Sequence, residues 1–215
     1  MELVTKSKVN IEGKFLNMQF VDELKARRSI YSLGSDVAVS EEELVSLIKE
    51  VVRESPTSFN SQTSRVVILF NDEHKKLWSF TEELLKPLTP EAAFPNTQAK
   101  LQGFASGKGT ILFFEDQDVV KNLQEQFALY ADNFPIWSDQ ASGIAQVNVW
   151  TALAQLNIGA NLQHYNPVID ERVAQEWGTP SNWKLRGQLV FGSPEAPAGD
   201  KEYMNDEDRF KVFGK

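Results

Sequence analysis

The sequence predicts a single domain that mixes helices with strands, and three observations carry that expectation. Four short runs, Arg65–Phe70, Thr110–Phe114, Gly159–Tyr165 and Leu185–Phe191, read as strands, the first two continuously apolar as suits a buried position. Between them lie segments whose apolar residues recur at helical spacing. With 215 residues, 41% of them hydrophobic, the chain can bury one substantial core, and it carries no internal repeat.

Residues 1–16 are polar and weakly patterned and read as an N-terminal extension, leaving 17–215 as one domain. From Asn17 the pattern turns helical, with Phe20, Val21 and Leu24 on one stripe that runs into Arg27-Arg28-Ser29. Ser40 and Glu43 form a capping box, and Leu44, Leu47, Ile48, Val51 and Val52 then give one clean buried face. Ser55-Pro56 stops that helix, because the residue before proline is pushed out of the α region. Thr57 to Gln62 is a run of hydroxyls and amides around one aromatic, and it leads into the first strand.

Asn71-Asp72 is expected to cap the next helix, with His74 solvated at its charged start. A proline-marked loop and a short helical piece near 91–101 precede Gly107-Lys108-Gly109. That Gly-Lys-Gly is read as a turn, because a strand and not a helix follows it and the full phosphate-loop spacing is missing. Asp118 is expected to cap a helix, and 130–137 is an aromatic-rich irregular segment. Ser138–Leu156 is apolar nearly all round, which fits a central core helix or a subunit interface. After the last strand, 193–215 is a loose Pro/Ala/Gly-rich arm whose end, Arg209 to Phe213, alternates with strand period and reads as docking on a partner subunit.

Composition narrows the function classes. A net charge of −8 argues against nonspecific binding to nucleic acid or to an anionic membrane surface. No cysteine is present, so disulfides, thiolate metal sites and cysteine nucleophiles are excluded, and a reducing cytoplasm is the expected setting. With two histidines, His74 and His164, a His-rich metal site is not expected. No nucleophile elbow or zinc-protease helix motif occurs, so any hard chemistry would fall to a cofactor.

Three stations would suit one phosphorylated planar cofactor. Arg27-Arg28-Ser29 offers two guanidinium forks and a hydroxyl to a phosphate. The Pro56–Gln62 loop can hydrogen-bond a polyol chain or a heteroaromatic edge. Arg209-x-Lys211 would aim two cations at one target.

In that order and spacing, Arg27-Arg28-Ser29, Ser55-Pro56-Thr57-Ser58-Phe59-Asn60-Ser61-Gln62 and the terminal Arg209-x-Lys211 resemble the FMN-dependent nitroreductase family. The segments 113–116, 124–127, 130–134, 162–167 and 211–215 are similar to its fatty-acid-repression-mutant branch. The resemblance implies an α+β fold with a mixed central sheet flanked by helices. It also implies an intertwined homodimer with an exchanged C-terminal arm and FMN at the interface. Arg27, Arg28, Ser29, Arg209 and Lys211 match the phosphate and ribityl positions, and Pro56, Thr57, Ser58, Asn60 and Gln62 belong to the loop lent by the other subunit. Gln163 and His164 match backbone donors at the flavin N5 edge, and Lys100 falls near a contact to the pyrimidine side. Departures are Thr63 in place of a proline and Ile158-Gly159-Ala160-Asn161 in place of a glycine-rich run.

The activity implied is ping-pong transfer of hydride from NADH or NADPH through flavin N5 to a nitroaromatic or quinone-type acceptor, with no catalytic side chain. A second reading is a flavin-binding regulatory or stress-response protein whose turnover is incidental.

Overall fold

The computed structural model describes residues 19–215, so the expected extension 1–16 lies outside the described residues. The order of elements is α1 (Gln19–Ala26), β1 (Leu33–Gly34), α2 (Glu41–Glu54), β2 (Ser64–Phe70), α3 (Asn71–Leu85), α4 (Phe94–Ala105), β3 (Gly109–Asp116), α5 (Gln117–Gln126), α6 (Phe134–Gln155), β4 (Gly159–Gln163), α7 (Asp170–Trp177), β5 (Trp183–Pro194) and α8 (Asp206–Arg209). This is an α+β arrangement.

The sheet is ordered by burial. β3 is buried at every position and lies between β2 and β5, and β5 in turn pairs with β4 and, at its end, with the two-residue β1. Every strand pair is antiparallel, and the one parallel contact among the described residues is an isolated bridge, Ser29 to Ala160. β3 reads as a continuous apolar run because both of its faces are covered. Leu112 and Phe114 point into one core with Leu77, Trp78 and Phe104 of α3 and α4. Ile111 and Phe113 point into the other with Leu44 and Ile48 of α2 and Ala145, Val149 and Leu153 of α6. The molecule is therefore three layers deep. Gly109 opens β3 because a Cβ there would sit 2.6 Å from both the Leu69 carbonyl and the Phe191 ring.

Several local expectations need correction. The α5 cap is Asp116, whose carboxylate accepts from the N–H groups of Asp118 and Val119. α3 has no side-chain cap; it starts after an extended Phe70, and Asn71 adopts a left-handed φ of 52°. His74 is fully buried, because His74, Leu77, Trp78 and Thr81 share the stripe of α3 that faces the sheet. The aromatic-rich segment is a 3₁₀ turn, Ala128–Asn133, running into α6. The terminal strand does not form: Asp206–Arg209 is one short helical turn, and everything beyond it is exposed and unpaired with the sheet. The acidic run Asp206–Asp208 favours a helix start. No described helix is long and apolar enough to cross a membrane.

Candidate functional site

The site is built on α6, which touches the loop station and then the arginine station. Its first turns carry Trp137, Gln140, Ala141 and Ile144, which face Pro56–Phe59 across a cavity of about 460 Å³. One turn on, Asn148 donates to the Ser55 hydroxyl at 2.9 Å. Trp150 then lies 4.4 Å beneath the Arg27 guanidinium. Ser142 and Gln146 line a further cavity of about 310 Å³ with His164 and Arg186. A helix apolar nearly all round thus buries one side and presents Ile136, Ile144 and Val147 on the other.

Arg27, Arg28 and Ser29 follow the end of α1 and line one cavity of about 450 Å³ together with Lys201. They are held by β4. Ile30 donates to the Ala160 carbonyl at 2.9 Å, and the Asn161 amide returns a bond to the Ile30 carbonyl at 2.8 Å. The departure at Ile158–Asn161 is therefore the segment that fixes the arginine pair. Arg28 also donates to the Gly199 carbonyl at 2.6 Å, so the arm crosses this station from its own chain.

The loop station is strained. Phe59, Asn60 and Gln62 have φ of 57°, 51° and 50°, a region that costs any residue with a Cβ. It is held by Thr57, whose hydroxyl accepts from the Gln62 N–H at 2.9 Å and whose carbonyl accepts from Asn60 at 3.1 Å. Phe59 is exposed yet packs on Phe127 and Phe134 at 4.9 and 5.5 Å and nearly parallel to Trp137 at 6.3 Å. On the loop's other side Thr57 and Gln62 share a cavity of about 260 Å³ with Lys49, Arg53 and Arg65.

The remaining expected residues fall elsewhere. Gln163 is buried and its amide donates to Asn161, leaving its side chain engaged inside β4, while His164 is exposed just past the strand end. Lys100 is exposed on α4, above Phe104. Arg209 stacks on its neighbour Phe210, and Lys211 donates to the Glu207 carbonyl, so neither joins the Arg27 cavity within this chain. Within one protomer the arginine station and the loop line separate cavities, and Arg209 and Lys211 line neither.

Sequence reasoning missed Glu115 and Arg186. Glu115 is fully buried at the end of β3 and accepts from Ser64 at 2.6 Å and Ser138 at 2.7 Å, which ties the strand after the loop to the first turns of α6. Burial pushes its carboxyl up, against the pull of those hydroxyls and of Arg186. Arg186 pairs with Asp139, and its buried Nε has no partner among the described residues; the buried indole N–H of Trp150 likewise has none there. Alternation along β5 was the only signal for Arg186. No cluster of His, Asp or Glu among the described residues could hold a metal.

Residues 24–193 match the nitroreductase family. The Saccharomyces cerevisiae proteins HBN1 and nitroreductase FRM2 are 36% and 31% identical over 191 and 192 residues, covering 87% of this chain and 94% of each relative. The solved nitroreductase CinD from Lactococcus lactis, in complex with nicotinic acid, superposes with a TM-score of 0.84 at 62% identity, over 91% of this chain and 100% of that one. CinD is also solved with chloramphenicol and with 4-nitrophenol. A structure from Desulfovibrio desulfuricans with FMN bound, 20% identical with a TM-score of 0.64, has the same fold. With the three-layer sheet, the arginine station and the loop in place, the chain belongs to the nitroreductase family of oxidoreductases, on the branch that holds FRM2.

Proposed function

We propose that the protein is a cytoplasmic homodimer that binds FMN and uses NADH or NADPH to reduce nitroaromatic or quinone-type acceptors. The observation that carries this reading is the incompleteness of one protomer. Cations that suit a phosphate and a loop that suits the flavin's polar edge lie in separate cavities. A second copy seated on the exposed apolar side of α6 would bring one chain's loop to the other chain's arginines.

The donor set suits the cofactor. Arg27, Arg28 and Ser29 would hold the phosphate and ribityl oxygens, and Lys201 lines the same cavity. Pro56, Thr57, Ser58, Asn60 and Gln62 would come from the partner's loop. Arg186 Nε and Trp150 Nε1 are buried donors without an acceptor among the described residues, and a bound polar ligand or an ordered water would supply one. Backbone N–H groups at Gln163 and His164 suit the flavin N5 edge. Arg209 and Lys211 would contribute only after the arm docks on the partner, and Lys100 only through the partner's surface.

FMN held by these residues would supply the redox chemistry, a ping-pong hydride transfer from NADH or NADPH to the acceptor through flavin N5. The chain's own part is to orient, to keep water out and to set the local field. No side chain is asked to act as a nucleophile.

Visible absorption of the purified protein under anaerobic conditions tests this. A flavin spectrum that bleaches within seconds of adding NADH or NADPH is expected. Colourless protein that fails to take up added FMN sinks the reading, and bleaching over many minutes favours the regulatory one.

A further inference from the structure

The loop borders two cavities, and the second carries a concentration of positive charge. Thr57 and Gln62 line a space of about 260 Å³ that α2 and β2 complete. Lys49 and Arg53 of α2 and Arg65 of β2 share its wall, and no aspartate or glutamate lines it. In a chain of net charge −8, three cations that meet without a carboxylate run against the overall balance.

The ordinary uses of such charges do not account for all three. Arg53 lies in the last turn of α2, where a cation complements the carbonyl end of the helix. Arg65 donates to Asp116 at 2.9 Å and to the Gln62 carbonyl at 2.6 Å, which fixes its guanidinium as one side of the cavity. Lys49 has neither role. It precedes Arg53 by one turn, at the i, i+4 spacing that sets like charges against each other. Neither Lys49 nor Arg53 is ion-paired among the described residues. A bound dianion would replace that repulsion with charge-assisted hydrogen bonds from both. The Thr57 hydroxyl accepts from the Gln62 N–H at 2.9 Å and keeps its own hydrogen to donate. Cations converging from two elements, with a hydroxyl beside them, suit a tetrahedral oxyanion that offers several acceptor oxygens.

We propose that Lys49, Arg53 and Arg65 form a phosphomonoester site, separate from the station at Arg27 and Arg28, whose occupant is the 2′-phosphate of NADPH or a free phosphate ion. The proposal deepens the reductase reading and rests on it only for the nucleotide. The 2′-phosphate is the one chemical difference between NADPH and NADH, and an arginine is the usual means of accommodating it.

Calorimetric titration of the FMN-saturated protein with NADP⁺, NAD⁺ and inorganic phosphate at low ionic strength tests it. The oxidised nucleotides do not reduce the flavin, and saturation with FMN takes the flavin's own phosphate out of the comparison. With the 2′-phosphate as ligand, NADP⁺ is expected to bind about tenfold tighter than NAD⁺ or better. Lys49→Gln combined with Arg53→Gln should bring that ratio to about twofold or less. Lys75→Gln combined with Lys121→Gln removes two charges elsewhere on the surface and should leave it unchanged. With free phosphate as ligand, the two nucleotides bind alike, and inorganic phosphate binds with the same dependence on Lys49 and Arg53. Both residues are exposed, so their replacement opens no core. Equal binding of the nucleotides with no binding of phosphate overturns the site. So does a preference that survives loss of Lys49 and Arg53, or that falls equally in the Lys75 and Lys121 control. Flavin absorbance of the same samples separates the two claims. Colourless protein that takes up no FMN yet prefers NADP⁺ through Lys49 and Arg53 keeps the site and loses the reductase. Flavin-loaded protein that bleaches with NADH or NADPH but binds neither phosphate nor NADP⁺ through these residues does the reverse.

Discussion

Asn148 on α6 donates to the Ser55 hydroxyl at 2.9 Å, and Ser55 passes the chain on by donating to the Val51 carbonyl at 2.8 Å. Two bonds therefore fasten the end of α2, and the start of the strained loop, to the helix that carries the opposite wall of the cavity. Ser55 is buried, so losing its hydroxyl leaves the Asn148 amide short of a partner. Ser55→Ala is expected to cost about 1–2 kcal/mol in urea denaturation, and a cycle with Asn148→Ala should show a coupling of about 1 kcal/mol. A coupling indistinguishable from zero would mean the loop is not anchored through this pair.

Arg27 is the arginine whose charge lies over an aromatic face, and Arg28 is the one already engaged with the arm. Replacing Arg27 removes a cation from its cavity without breaking an ion pair. Arg27→Ala should weaken FMN binding by roughly tenfold or more, as read by flavin fluorescence titration, with sedimentation of the apo protein unchanged. Unaltered FMN affinity would remove the phosphate role from this station. A chain ending before Arg209 separates the arm's contribution: loss of flavin with an intact size distribution assigns the arm to the cofactor, and loss of both assigns it to the dimer.

Much of the fold was legible because periodicity reports burial. The capping box of Ser40 and Glu43 forms as its spacing predicts, and Leu44 and Ile48 are fully buried on the face the helical repeat selects. β3 was legible because two-sided burial makes Ile111–Phe114 continuously apolar. His74 was misread from its charged neighbours, although His74, Leu77, Trp78 and Thr81 keep the i, i+3, i+4, i+7 spacing of a buried stripe. The left-handed backbone at Phe59 has no marker in the sequence, since no glycine sits there and the strain is imposed by Thr57 from two residues away. Glu115 and Arg186 were illegible for a different reason. A buried carboxylate between two serines on separate elements is a product of tertiary packing, and neither serine is near it in the chain. The arginine station and the loop were found by motif, but their separation into two cavities of one protomer is visible only in three dimensions.

Glu115 makes stability fall as pH rises. Its carboxyl ionises at higher pH in the folded protein than its ordinary value of 4.5, because burial disfavours the charged form. Between 4.5 and the raised value the folded state holds the extra proton, so unfolding takes up fewer protons than it releases and the folded state loses ground with each step in pH. Its contribution is fully present below pH 4.5 and is lost as pH passes through the folded value. Glu115→Gln keeps one acceptor and gains a donor for the Ser64 and Ser138 hydroxyls, and it does not titrate. The difference in urea midpoint between wild type and Glu115→Gln should therefore shift in the variant's favour above pH 4.5; a flat difference from pH 4 to 8 would show that Glu115 titrates normally.

His74 acts in the opposite sense. Its Nδ1 lies 2.8 Å from the Thr110 hydroxyl, which also accepts the indole N–H of Trp78 at 3.1 Å. Burial, with a smaller push from the like charge of Lys75, lowers its pKa from 6.5 to about 4. The carbonyls of Phe104 and Ala105 pull the other way without prevailing. With the folded pKa below the unfolded one, the unfolded chain binds more protons between these limits, and stability rises with pH. The contribution is complete above pH 6.5 and lost as pH falls through about 4, a change on the order of 3 kcal/mol. His74→Gln is expected to lower stability at neutral pH and to flatten the slope between pH 4 and 6.5. The direct check is the imidazole proton shift of His74 in a pH titration. It should stay at its neutral position down to about pH 5; a His74 midpoint near 6.5 would mean that water or a counter-charge reaches the ring in solution.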